Sequence, residues 1–333
     1  MTFTRLPAPA LLAALLLTLG ACTGPADSDP GDEPVEQVSL VDCDGVDYAD
    51  VRGPEPAEPN GSLRDYPAAD AVCDAWWLDL PDDFVPQGLE IDRSTAYVVG
   101  HRAGAVGQKP CQVAVVDLPS GRTRAFTGAL DAPVGGSQCR HGGGAALTTA
   151  GLWVIQTSRL WLLDPDRIGR PDQVRRVWRL AEEVRGSTVA AHDGRLVIAG
   201  YRPRGPGRAR WYAEASVLQT GTTDLVETAA GVGQVAMTRS TRVPPRLQGL
   251  AFTRAGAAWH VASRISCGLV HPGGRPRDFV PGAEDLVVTG SSIWAVSEAS
   301  ASPYRDPDGA LVPRLLRLDR GTVVDSGPAT CEL

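Results

Sequence analysis

Apolar residues between positions 80 and 320 come in short runs broken by Gly, Asp, Ser and Pro, and paired runs recur with one layout. A polar or Gly-rich start leads into a short apolar strand, a tight turn and a second strand that ends on a polar residue. The first pair runs Gln87-Gly88-Leu89-Glu90-Ile91, turns at Asp92-Arg93-Ser94 and returns as Tyr97-Val98-Val99-Gly100-His101. The second starts at His141-Gly142-Gly143-Gly144 and returns through Trp153 to Gln156. The third starts at Ser187, turns at His192-Asp193-Gly194 and ends at Tyr201. The fourth runs from Gln248-Gly249 through Trp259 to Ser263 and Arg264, and the fifth from Glu284-Asp285 through Trp294 to Glu298. Start and exit are 14, 15, 14, 15 and 14 residues apart, and successive starts are 54, 46, 61 and 36 residues apart.

A third apolar run and a tight turn follow many of these pairs, as at Val113 to Leu118 and Leu315 to Leu318, and Arg122 to Phe126 reads as a fourth strand. Four short strands per roughly 40–50 residues is the pattern of a propeller blade. The chain is therefore read as all-β, a β-propeller of five blades closed by the chain ends. Residues 62–82 are the alternative source of a sixth blade. The preferred role for Val72 to Leu78 is an outer strand beside the chain's end, with Cys331 tied back to Cys43 or Cys73.

That architecture assigns positions. First strands line a central channel and second strands return to the same face, so polar starts and exits meet at one mouth. Gln87, His141, Gln248 and Glu284 fall around the channel, with His101, Tyr201, Arg264 and Glu298 just outside, and these eight are the candidate ligand-binding residues. Insertions at 102–110, 202–210 and 299–313 are expected to rim the same face. Glu284, Asp285 and His141 are the candidates for acid–base chemistry, and the acidic pair is also the candidate holder of a Ca²⁺ ion. Structural roles compete at every position. The glutamines can bond neighbouring inner strands, His141 can be a packed histidine, and Glu284-Asp285 can cap loop amides. Tyr97, Trp153, Trp259 and Trp294 share one register and read as packing between blades.

His141-Gly142-Gly143-Gly144 matches a lipase oxyanion loop, but Gly135-Gly136-Ser137-Gln138-Cys139 lacks the closing glycine of a nucleophile elbow and long helical patterns are absent. No Walker loop, HExxH or EF-hand pattern occurs. A net charge of -7 in 333 residues disfavours a nucleic-acid partner.

The first residues change the picture of where this body sits. Arg5 precedes an apolar run over 8–19 that is too short to span a bilayer comfortably. Leu19-Gly20-Ala21-Cys22 follows and resembles a bacterial lipobox, which implies cleavage before Cys22 and a diacylglycerol on its thiol. The expected organisation is a signal peptide over 1–21, a lipidated acidic tether over 22–60 and the propeller over 61–333. Eleven acids and one base within 22–60 suit a solvated spacer. Six cysteines remain beside Cys22, an even number suited to three disulfides outside the cytoplasm, and fifteen pairings are open.

Pro86-Gln87-Gly88-Leu89, His141-Gly142-Gly143, Leu247 to Phe252 and Gly282 to Leu286 resemble segments of secreted SMP-30/gluconolactonase-like and YncE-like propellers over about residues 80 to 320. The resemblance implies the architecture. A lactonase-type metal centre would also need asparagine ligands, and Asn60 is the only asparagine in the chain. The expected function is an extracytoplasmic lipoprotein, held to the membrane by the lipid on Cys22, that binds a small molecule, glycan or protein partner at the channel mouth. The alternative is a propeller hydrolase or lactonase that uses the acidic residues there.

Overall fold

Each of the five apolar pairs folds as an antiparallel hairpin. Local chemistry sets the turns. Asp193 (φ 48°) and Gly194 (φ 67°) both sit in the left-handed region, the backbone of a two-residue hairpin loop whose twist matches the flanking strands. The computed structural model describes residues 43–55, 66–104, 108–133, 135–220, 224–228, 231–305 and 310–333. The expected leader and the lipid site at Cys22 lie outside the described residues.

The hairpins grow outward into five sheets in a propeller-like, all-β arrangement. The first sheet is Phe84–Asp92, Thr95–Arg102, Cys111–Asp117 and Arg122–Thr127. The second begins with Gly142–Thr148, Gly151–Gln156, Arg159–Leu163 and Val174–Leu180. The third is Thr188–His192, Arg195–Ala199, Gly207–Ala213 and Arg239–Val243, and the fourth is Leu247–Phe252, Ala258–Arg264, Cys267–His271 and Arg277–Phe279. The fifth is Ala283–Thr289, Ser292–Ser297, Leu315–Asp319 and, outermost, Val72–Trp76, which pairs antiparallel with Leu315–Asp319. Residues 62–82 thus contribute one strand to the fifth sheet and no sheet of their own among the described residues.

The 61-residue spacing after Ser187 has a structural cause. After Gly207–Ala213 the chain leaves the third sheet, forms the helix Glu214–Gln219 and adds Asp224–Val226 and Gln234–Ala236, paired in parallel, to the second sheet. It then returns to complete the third with Arg239–Val243. The expectation that 202–210 is a rim loop fails for its second half. Arg208 and Arg210 lie in a strand, and Arg210 is buried, ion-paired to Glu227 and bonded to the carbonyls of Val184 and Glu183.

Apolar faces of neighbouring sheets close on one another. Five buried clusters fill the five gaps: first on second around Tyr97 and Val154, second on third around Trp153 and Ile198, third on fourth around Trp211 and Leu247, fourth on fifth around Trp259 and Ile293, and fifth on first around Trp294 and Val98. Tyr97, Trp153, Trp259 and Trp294 are therefore packing residues, each at least nine-tenths buried. The inner strands touch in a ring, each against the next and the fifth against the first.

Backbones meet so closely at the ring's centre that side chains are excluded. A Cβ on Gly88 would lie 2.4 Å from the carbonyl oxygen of Gly143, and one on Gly249 would lie 2.6 Å from the Cα of Asp285.

Three disulfides, a feature of oxidising compartments, brace the periphery: Cys43–Cys73, Cys111–Cys139 and Cys267–Cys331. The expected link from Cys331 to the start of the chain is corrected. Asp278 accepts from the amides of Thr330 and Cys331 and holds the tail on the fourth sheet, where Cys267 opens the strand Cys267–His271. The tether expectation is corrected over 43–55. Val51 is buried, Arg52 exchanges backbone bonds with Ala75 and Trp77, and its guanidinium lies 2.8 Å from Asp74, which also accepts from buried Arg317 at 2.6 Å. No helix among the described residues is long and apolar enough to cross a membrane.

Gly249→Ala should destabilise the fold by about 1–3 kcal/mol, because the methyl meets backbone. Gly128→Ala, with open space around its position, should stay within about 0.5 kcal/mol of the parent. Chemical denaturation of both variants checks the contrast.

Candidate functional site

Side chains alternate along a strand, so a residue is re-aimed only where the alternation breaks. Pairing registers shift between Pro86 and Gly88, between Leu247 and Gly249, and between Ala283 and Asp285. The residues left over at these bulges are Gln87, Gln248 and Glu284. A fourth shift lies between Gly142 and Ala145, at the glycines after His141.

The bulged residues line one cavity of about 350 Å³, together with His141, Gly143, Gln156, Thr157, Gly186, Ser187, Tyr201, Glu298 and Tyr304. Six of the eight candidate binding residues therefore come together: Gln87, His141, Tyr201, Gln248, Glu284 and Glu298. The other two do not line it. His101 is fully buried, stacked on His141 with ring centroids 4.4 Å apart, and neither of its ring nitrogens has a hydrogen-bond partner. Arg264 is exposed at the end of its strand, and its carbonyl accepts from the Gly282 amide.

Two carboxyls lie at the centre of the site. Glu284 and Glu298 face each other closely enough that either carboxyl, when protonated, can donate to the other. Each is gripped from a neighbouring sheet: Gln248 Nε2 donates to Glu284 Oε1 at 2.8 Å, and Gln87 Nε2 donates to Glu298 Oε2 at 2.8 Å. Burial, then the charge of Glu298, holds the Glu284 carboxyl well above the usual carboxylate range. Burial pushes Glu298 up to about 7, against the opposing pull of its bonds to Glu284 and Gln87 and the charge of Lys109. Such a pair holds one proton and one negative charge near neutrality.

Asp285 has a different task from its neighbour. It is 1% exposed and accepts from the amides of Leu89 (3.0 Å), Ala145 (3.3 Å) and Leu286 (3.0 Å), joining the fifth, first and second sheets. The carboxyl that faces Glu284 is that of Glu298, so the sequence pair Glu284-Asp285 is not a working pair in space. Glu90 repeats the bracing role, accepting from the amides of Ile91 and Leu147, and burial raises it to about 7. No group of three or more His, Cys, Asp or Glu among the described residues is arranged to hold a metal ion.

Burial and then Lys109 lower His141, and burial, His141 and Lys109 bring His101 down to about 3, so both imidazoles are neutral. Sequence reasoning placed Gln156 and Ser187 near the mouth without assigning them to the site, and it missed Thr157 and Tyr304. Tyr304 arrives on the 299–313 insertion, which was expected at this face. Thr157 gave no signal beyond following Gln156.

No protein-family model and no curated protein matches the chain. Among solved structures it is similar to Myxococcus xanthus glutaminyl cyclase, with TM-score 0.44 and 14% identity over 73% of this chain and 94% of that one. It is also similar to the PQQ-bound form of aldose sugar dehydrogenase from Streptomyces coelicolor, with TM-score 0.39 and 13% identity over 74% of this chain and 97% of that one. A putative glucose dehydrogenase from Thermus thermophilus gives TM-score 0.37 and 16% identity over 72% and 85%. At these values the likeness assigns no activity to the chain.

Glu298 stays protonated in the fold from its ordinary 4.5 up to about 7, where the unfolded chain has already released that proton. The folded state binds more protons in this window, so its contribution to stability is present below it and is lost as pH rises through it. Glu298→Gln should gain thermal stability relative to the parent between about pH 5 and pH 8, with little difference at the acid end. Parallel melting curves across that range check the shared proton, and curves that do not diverge would remove it.

Proposed function

We propose that the chain is an extracytoplasmic lipoprotein, held to the membrane by a lipid on Cys22, whose five-bladed propeller, closed by the chain ends, binds a small polar ligand at the channel mouth. The observation that carries the reading is the Glu284–Glu298 pair, clamped by Gln87 and Gln248 in a cavity of about 350 Å³. That volume lies at the low end for ligand sites and favours a small molecule over a long glycan or a folded partner. Bulges spend regular pairing to point three polar side chains at one place, a use that packing alone does not require. The three disulfides agree with an oxidising compartment.

One observation favours enzymatic chemistry as a second reading. A carboxyl that keeps its proton beside one that keeps its charge is the pairing general acid–base catalysis uses. In this version Glu284 and Glu298 carry the chemistry and His141 lines the site as a neutral imidazole. The calcium version has little to draw on, since the oxygens of Asp285 are committed to backbone amides.

A polar-metabolite thermal-shift screen on the mature chain should give ligands whose stabilisation is lost in Glu284→Leu. Turnover of any hit that disappears in the same variant would replace binding with catalysis. Cys22→Ala should move the protein from the detergent phase to the aqueous phase on Triton X-114 partitioning. Detergent partitioning unchanged by the substitution would remove the anchor.

A further inference from the structure

The donors and acceptors at the cavity's centre are unequally available. Gln87 turns its amide nitrogen to the Pro86 carbonyl (3.1 Å) and to Glu298 (2.8 Å), so both N–H bonds are engaged and its carbonyl oxygen remains. Gln248 gives an N–H to Glu284. What the two glutamates and Gln87 offer a ligand is therefore chiefly oxygen, with a negative charge on the pair. Gln87, 92% buried, and Glu284, 96% buried, hold this arrangement away from bulk water.

Among the described residues, no cationic side chain makes a hydrogen bond or ion pair with either glutamate. His141, from the second sheet's edge, and His101 behind it are kept uncharged by burial. Lys109 acts on Glu298 through space only. Asp285, on the same strand as Glu284, adds charge of the same sign, and Tyr304 faces both glutamates with its hydroxyl held protonated. Tyr201, in the loop after Arg195–Ala199, is 44% exposed and is one of two large apolar side chains left open among the described residues.

From this juxtaposition we infer that the site recognises a small organic ammonium ion, its N–H donors on the Glu284–Glu298 oxygens and the Gln87 carbonyl and its carbon skeleton against Tyr201 and Tyr304. The inference rests on the binding reading above and names its ligand class. An ammonium brings three donors, no acceptor and the missing positive charge, and aromatic faces favour cations at close range. A neutral polyol would leave a largely buried negative charge unpaired, which is costly. The shared proton stays on the pair, and the cation competes with the second proton, the one Glu298 takes up below about pH 7, so binding near pH 7 displaces that one.

The test uses the purified mature chain and defined probes: n-butylamine and phenethylamine, each beside its neutral N-acetyl derivative. A dipeptide amide with a free amino terminus, the same peptide acetylated, and N-acetyl-lysine amide separate a free amine, a peptide terminus and a lysine side chain as sources. Calorimetry in two non-amine buffers of different ionisation enthalpy reads affinity and proton release together. Amines should bind at least tenfold more tightly than their acetylated partners and should release protons near pH 7. Glu298→Gln should lose tenfold or more, and Glu298→Asp should recover part of it. Glu284→Gln, which keeps a donor facing Glu298, should still bind amines but with the proton release lost. Circular dichroism melts establish that each variant is folded. Equal binding of amines and acetylated partners, or amine binding indifferent to Glu298→Gln, overturns the cation and leaves a neutral-ligand site standing. If none of these probes binds while the metabolite screen finds other ligands, the cation alone is overturned; if neither finds a ligand lost in Glu284→Leu, both readings fall.

Discussion

A ring of sheets converges on an axis where inner-strand amides have no further strand to pair with. Asp285 meets that constraint here. Its carboxyl takes amide hydrogens from three sheets, and Gly249 leaves the room it needs, because a methyl there would strike Asp285 itself. Glu90 does the same between the first and second sheets, two residues further along each strand, at Ile91 and Leu147. Buried backbone donors left unpaired would each cost about 1–3 kcal/mol, so carboxyls replace the missing strand. The cost of burying them shows in the raised affinity of both for protons.

The site is built from the same crowding. Gln87, Gln248 and Glu284 occupy bulges at equivalent places on three inner strands, and each bulge sits where glycines or Asp285 hold the backbones close. The fifth sheet brings both carboxyls, and its two neighbours bring one glutamine each. This symmetry lets one proton serve two acids without loose ends. Cys111–Cys139 and the stacked His101–His141 pair back the wall from which His141 faces the cavity.

Much of this was legible in the chain. The regular spacing from polar start to polar exit reports hairpins of equal length, and it located all five. It located the cavity as well, because a hairpin that begins and ends at one face must bring its end residues together. What it could not report was direction within that face. Glu284 and Asp285 are adjacent in sequence, and only a register shift in the paired strand decides that the first faces the cavity and the second the inner-strand amides. The 61-residue gap after Ser187 marks an excursion there but not that its strands Asp224–Val226 and Gln234–Ala236 enlarge the neighbouring sheet, since short strands paired in parallel carry no turn signal. The tail was misassigned because proximity to Asp278, far away in sequence, decides where Cys331 lies.

The Cys43–Cys73 bond gives the fold a mechanical property. Any tension carried along the chain from its first 42 residues passes through that sulfur bridge directly into the strand Val72–Trp76. Residues 44–72 are bypassed. The load then enters a strand bonded antiparallel to Leu315–Asp319 and braced by Asp74 between two arginines. A pull on the leading segment is therefore met by the fifth sheet before it reaches the stretch between the two cysteines.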